Sequence, residues 1–219
     1  MGIGVFHTVI FDLDGTLSDS AILTMAALKY AAPIHGLPVP SEEAIRNATG
    51  YANPEFYHIL FPDYPYDLVE NCGKLVGQEE LRILPSVSHR LLFDGCRELL
   101  VYLKEHDIHL NIASTGDRDH VFSIVNETGI IGFFDKISCG CPDKTGMLRE
   151  MLGKAERNGY IMVGDMKKDF EAARANSILS VGACYGYCRQ AVTDFDFYID
   201  APHDLLDILK IQGSKICRS

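Results

Sequence analysis

Residues 9–20 read VIFDLDGTLSDS. An apolar run closes on Asp12, Asp14 follows one residue later, and Gly15 and Thr16 stand directly behind. Residues 7–12, HTVIFD, are short, apolar and rich in β-formers, which predicts a buried strand. Open α/β sheets place their chemistry beyond the carboxyl ends of strands, next to glycine turns. Packing gives no reason to crowd two acids together at such a point, so the pair implies a chemical role. The alternative is that Asp-x-Asp-Gly only closes the strand as a turn.

Working outward, residues 20–32 turn helical, with Ile22, Met25, Ala26 and Tyr30 near one face. APIHGLPVP (32–40) breaks that helix, and Ser41 with Glu42 and Glu43 predicts the start of another. Residues 54–82 continue as helices around the turn FPDYP, with no strand. From residue 95 the rhythm alternates. Helices are predicted at 95–106, 119–130, 145–156 and 168–178, and strands at 108–114, 133–139, 159–165 and 179–186. Alternation of this kind predicts a parallel sheet with right-handed helical crossovers. The fold class expected is therefore α/β, a doubly wound, Rossmann-like parallel sheet with an inserted all-helical cap. The core spans 1–16 and 87–219 and the cap 17–86. No internal repeat or low-complexity tract interrupts this pattern.

The 219 residues suffice for one large domain with an insert, and 47% apolar content is ordinary for a buried core. A net charge of −10 argues against a nucleic-acid polymer as partner, since phosphate-backbone binding needs clustered Lys and Arg. Small anions remain compatible, because local cations or a metal outweigh a global field. No stretch approaches the ~20 apolar residues of a membrane span. The opening MGIGVFHTVIFDLDG lacks a basic region, which argues against a signal peptide. Phe6 stands where myristoylation of Gly2 would want Ser or Thr. Seven scattered cysteines read as reduced thiols, and the cytoplasm is the expected location. Cys139-x-Cys141 and Cys184-x(3)-Cys188 match zinc sites poorly, so ordinary buried thiols are expected. The eight histidines show no ligand spacing and receive no role.

Four stretches fall at the carboxyl ends of successive predicted strands: DLDGT with Asp12 and Asp14, IAS with Ser114, a lone Lys144, and VGDMKKD with Asp165 and Asp169. This set, in this order, resembles the haloacid dehalogenase-like superfamily over essentially the whole chain, including a helical cap after the first motif. The dehalogenases lack the second acid of the first motif; Asp14 is present here, which favours phosphate chemistry.

The resemblance implies a nucleophilic Asp12 that forms an aspartyl-phosphate, and Asp14 as general acid and then base. It implies Mg²⁺ held by the Asp12 side chain, the Asp14 carbonyl and Asp165, with Asp169 behind them and paired to Lys144. Gly15, Thr16, Ser114, Thr115 and Lys144 would contact the phosphate. Ser114 could instead merely cap the following helix. Relatives often carry Lys-Pro at the third motif where this chain has CPDKTGML, and Lys136 is a less favoured substitute.

VGDMKKDFEAARANSI followed by VGACYGY is similar to the phosphoglycolate phosphatase-like group. The expected substrate is a small phosphomonoester: phosphoglycolate-like, a nucleotide or a sugar phosphate. The expected enzyme is a monomer or homodimer with no membrane partner. A phosphoglucomutase-type transfer is the alternative, disfavoured by Thr16, and a non-catalytic relative is a further one. Specificity would come from the cap, where Arg46, Gly50, Tyr51 and Asn53 are candidates; a solvated helix face equally explains Arg46.

Overall fold

The structure is a computed structural model that describes residues 6–187 and 194–209; Met1, Gly2 and Cys188 lie outside them. Strand β1 (Thr8–Phe11) is buried along its whole length, as a strand covered by helices on both faces must be. It pairs in parallel with β2 (His109–Ala113) on one side and β4 (Tyr160–Gly164) on the other. With β3 (Lys136–Ser138), β5 (Leu179–Ala183) and β6 (Phe197–Ile199) the order is β3-β2-β1-β4-β5-β6, parallel throughout. The chain runs outward from β1 to β3 and then crosses back to β4, so the winding direction reverses between β1 and β4. A crevice opens beyond the strand ends at such a reversal. Asp12 and Asp165 each stand one residue past those two strands.

Two details differ from the sequence pattern. The strand expected over 133–139 is confined to Lys136–Ser138, because Ile131–Phe133 wind into a 3-10 turn. Strand β6 is not anticipated from the sequence; three residues at a sheet edge are too few to carry a usable periodicity.

The helical insert comprises α1 (Ala21–Ile34), α2 (Glu42–Ala48), α3 (Glu55–Leu60) and α4 (Tyr66–Val87). Helix α1 runs past the expected break at residue 32, through Pro33, where a missing N–H in the last turn removes a single hydrogen bond. Ser41 caps α2 by accepting from the Ala44 amide at 3.1 Å. Along α4, Val69, Cys72, Val76, Glu80 and Leu84 are buried at helical spacing and face α1 and the sheet. Helices α5 (Cys96–Glu105), α6 (Arg118–Glu127), α7 (Lys144–Leu152), α8 (Lys167–Ala175) and α9 (Leu205–Leu209) complete the described chain. Among the described residues no helix is long and apolar enough to cross a membrane.

The two connections cross from sheet to insert side by side, as an antiparallel pair at Ser18 and Leu92. The Asp19 amide donates to Leu91 O at 2.7 Å and the Phe93 amide to Leu17 O at 3.1 Å. We propose that 1–16 with 87–219 and 17–86 behave as two units about this crossing. Two apolar clusters largely follow that division: Leu28, Ile45, Phe61 and Val76 pack within the insert, and Val9, Phe11, Leu110 and Ile161 within the sheet, where Leu23 and Leu84 of the insert join them.

Candidate active site

At the end of β1 the backbone stays in the sheet for one more residue, the Asp12 amide donating to Val163 O at 2.8 Å. It then turns sharply: Leu17 and Ser18 amides both donate to Leu13 O at 2.9 Å. Gly15 makes the turn possible at φ +83°, and a Cβ there would collide with the Asp165 carboxylate. Asp12 Oδ1 accepts the Leu13 amide at 2.9 Å and lies 2.9 Å from Lys144 Nζ. Lys144 also donates to Asp169 Oδ1 at 2.6 Å. The Asp143 side chain caps α7 through the Gly146 amide at 2.9 Å, which fixes Lys144 as the first helical residue.

Asp165 accepts from the Thr16 hydroxyl at 3.2 Å and from the Tyr187 amide at 2.8 Å. Asp169, fully buried, reaches back from the first turn of α8 to accept the Met166 amide at 2.9 Å. One oxygen from each of Asp12, Asp165 and Asp169 lies within 4.8 Å of the others. Burial, then the Asp169 charge, pushes Asp165 up to about 7. Burial likewise raises Asp12 well above the carboxylate range; Lys144 opposes this while Asp169 and Asp165 add to it. Lys144 is raised, because the carboxylates of Asp12 and Asp169 outweigh the burial that would lower it.

The Asp14 side chain takes a different direction. Its Oδ1 lies 3.0 Å from His120 Nε2, and its Oδ2 sits with Ser114 Oγ against Gly116. Burial would raise Asp14, but the charge and hydrogen bond of His120 prevail and hold it below its usual value. His120 is correspondingly raised well above the usual imidazole value: burial opposes this, and Asp14 and Glu80 overcome it.

The structure therefore brings Asp12, Asp165, Asp169, Lys144, Ser114 and the Asp14 side chain to the carboxyl end of the sheet. Lys136 is exposed at the start of β3, away from them. Gly15 and Thr16 are expected phosphate donors, yet their donors have other partners. The Gly15 amide binds Ser18 O at 2.8 Å, the Thr16 amide faces Leu13 O at 3.3 Å, and the Thr16 hydroxyl braces Asp165. The Thr115 hydroxyl donates to Gly50 O at 3.0 Å, tying the core to the insert.

A chamber of about 710 Å³ lies between the helical insert and the strand ends, with Asp14 and His120 in its wall. Of the cap candidates, Gly50, Tyr51 and Asn53 line it. Arg46 does not: it grips Asp19 at 2.6 and 3.1 Å and Glu42 at 2.9 Å, beside the crossing. The cysteines depart from the expected burial, since Cys141 is exposed and Cys139 and Cys184 are part-exposed; only Cys72 and Cys96 are buried among those described.

The family model for haloacid dehalogenase-like hydrolases matches residues 9–183. The chain belongs to that family. Within these hydrolases it is similar to the phosphoglycolate phosphatase of Synechococcus elongatus, 25% identical over 91% of this chain and 95% of that protein. It is also similar to the tyrosine-protein kinase PtkA of Mycobacterium tuberculosis, 28% identical over 85% of this chain and 65% of the kinase. In fold it matches the crystal structure of a predicted phosphoglycolate phosphatase from Haemophilus somnus, with a TM-score of 0.84 at 22% identity, over 94% of this chain and 99% of that one.

Proposed function

We propose that the chain is a Mg²⁺-dependent phosphatase that hydrolyses a small phosphomonoester through a phosphorylated Asp12. The observation that carries this reading is the buried set of Asp12, Asp165 and Asp169 around the single ammonium of Lys144. Three ionised carboxylates against one ammonium would leave two negative charges out of water, which is costly without a counter-charge and is why Asp12 and Asp165 are pushed up. A divalent cation balances them, and an all-oxygen donor set suits a hard ion such as Mg²⁺. Asp12 and Asp165 would hold it, with the Asp14 carbonyl as the family resemblance implies. Once bound, it supplies Lewis-acid neutralisation of the phosphoryl charge.

The remaining work falls to the chain. Asp12 Oδ1 is taken by the Leu13 amide and Lys144, which leaves Oδ2 to attack phosphorus. The Oδ2–P bond forms as the bond from phosphorus to the alcohol oxygen breaks, and the proton that the Asp14–His120 pair carries passes through Asp14 to that oxygen. Asp14 then accepts a proton from the water that attacks phosphorus. The Oδ2–P bond breaks, releasing inorganic phosphate and restoring Asp12. Lys144, beside Asp12, and the Ser114 hydroxyl, beside Asp14, would hold phosphoryl oxygens.

A chamber of about 710 Å³ suits a small organic phosphate. The relatives make phosphoglycolate the first candidate, with nucleoside monophosphates and sugar phosphates beside it. Phosphate release from that panel with Mg²⁺ should fall to background with EDTA and in Asp12→Asn. Release that survives either treatment overturns the mechanism.

A further inference from the structure

We propose that His120 is a positioning residue for Asp14, and that the helical insert sets it through Glu80. The proposal rests on the phosphatase reading above, in which Asp14 is the acid and base. His120, in the first turn of α6, presents Nε2 to Asp14 Oδ1 at 3.0 Å and Nδ1 to Glu80 Oε2 at 3.3 Å. Glu80 belongs to α4 of the insert, and its other oxygen accepts the hydroxyl of Thr24 on α1 at 2.6 Å. A continuous line of hydrogen bonds, Thr24–Glu80–His120–Asp14, thus runs from two helices of the insert to the catalytic turn. Thr24, Glu80 and Asp14 are all buried.

The geometry gives the line a purpose. With Oδ1 anchored on the imidazole, Asp14 Oδ2 is turned toward Gly116 and the Ser114 hydroxyl, the side where the phosphoryl group would sit. A carboxylate held by one oxygen cannot swing about its terminal torsion, which is otherwise broad. The imidazole in turn has an acceptor at each nitrogen, so its ring orientation is fixed from both ends. Glu80 reaches His120 only while the insert is seated on the core. Seating is held independently by Thr115 and Lys168 on Gly50 O, at 3.0 and 3.3 Å. The aim of the acid is therefore tied to the seating of the insert over the chamber, the element that excludes water from it.

The test separates aiming an acid from merely supporting the fold. Nitrophenolate departs without a proton, whereas an alkoxide needs one. kcat/KM should therefore be measured for p-nitrophenyl phosphate and for whichever alkyl phosphate of the panel the wild type hydrolyses best. In His120→Ala the alkyl-to-aryl ratio of kcat/KM should fall about 10²-fold, the scale of general-acid catalysis. Glu80→Ala should move the ratio the same way by less. His120→Gln, whose amide still donates to Asp14, should recover part of it, and serves as the readout if His120→Ala folds poorly. Equal losses on both esters, or a rise in KM alone, would overturn the positioning role. A wild type inactive on both esters with Mg²⁺ would instead bring down the phosphatase reading, and this proposal with it.

Discussion

The acid cluster should make the metal-free protein less stable as pH rises, and Asp165 gives the size of the effect. Its folded pKa is pushed from the ordinary 3.8 to about 7 by burial and Asp169. The raised value means that the folded state holds a proton the unfolded chain has already lost. Stability from this group is full below 3.8 and disappears as pH climbs through about 7. At about 1.4 kcal/mol per tenfold change in proton affinity, the whole span is worth about 4 kcal/mol. Between pH 5 and pH 8, where the fold is easily studied, about 3 kcal/mol of it is lost. For a chain of this size that corresponds to a melting temperature lower by about 6–12 °C. Thermal unfolding in EDTA at pH 5, 6, 7 and 8 measures it, and Asp165→Asn should flatten the slope. Mg²⁺ should flatten it too, because the ion favours the ionised carboxylates. A melting temperature that rises with pH in EDTA, or an equal slope in Asp165→Asn, would refute the burial argument.

Three other perturbations test other parts of the site. Lys144→Met leaves Asp12 and Asp169 buried without their cation, and should cost about 3–5 kcal/mol in urea unfolding at neutral pH. Gly15→Ala places a Cβ against the Asp165 carboxylate at a positive φ; it should lose more than about 1 kcal/mol and lower phosphate release. Arg46→Ala removes a part-exposed ion pair with Asp19 away from the chamber, so stability should drop by only about 0.2–1 kcal/mol with kcat/KM unmoved, as steady-state assays would show.

The fold is legible where local pattern and burial coincide. Thr8–Phe11 and Ile161–Gly164 are buried runs bounded by acids, and no tertiary information is needed to see them end at Asp12 and Asp165. The second winding arm fades at β6, where Phe197–Ile199 are β-formers but too short a run to read without the neighbouring strand that pairs with them. Pro33 misleads for the opposite reason: a helix tolerates proline in its last turn when α1 is already packed along α4.

The candidate site divides along similar lines. Asp12 and Asp14 share one turn, and Asp165 and Asp169 share one strand end and helix start, so short linear spacing reaches all four. Lys144 has no such spacing, and only its capped helix start aims it at Asp12 and Asp169. His120 and Glu80 are forty residues apart, on a core helix and an insert helix, and neither sits in a motif. Their meeting is fixed by α4 lying across α6, a property of packing alone. One positional signal was available: His120 falls in the first turn of the helix after Ser114, where a βα unit points side chains at the strand ends.

Tyr187 touches both the connection to the insert and the acid cluster. Its amide holds Asp165 Oδ2 at 2.8 Å, while its hydroxyl accepts the Ala21 amide at 3.0 Å and meets Asp19 Oδ1 at 3.0 Å. The Asp19 carboxylate is the same one that Arg46 of the insert grips. Tyr187 thus meets the start of α1 and Asp19 through its hydroxyl, and Asp165 through its amide. His120 couples the insert to Asp14 on the far side of the first turn, and Tyr187 couples it to Asp165 on the near side. The insert thus has a hydrogen-bonded route to each of Asp14 and Asp165 that bypasses the sheet.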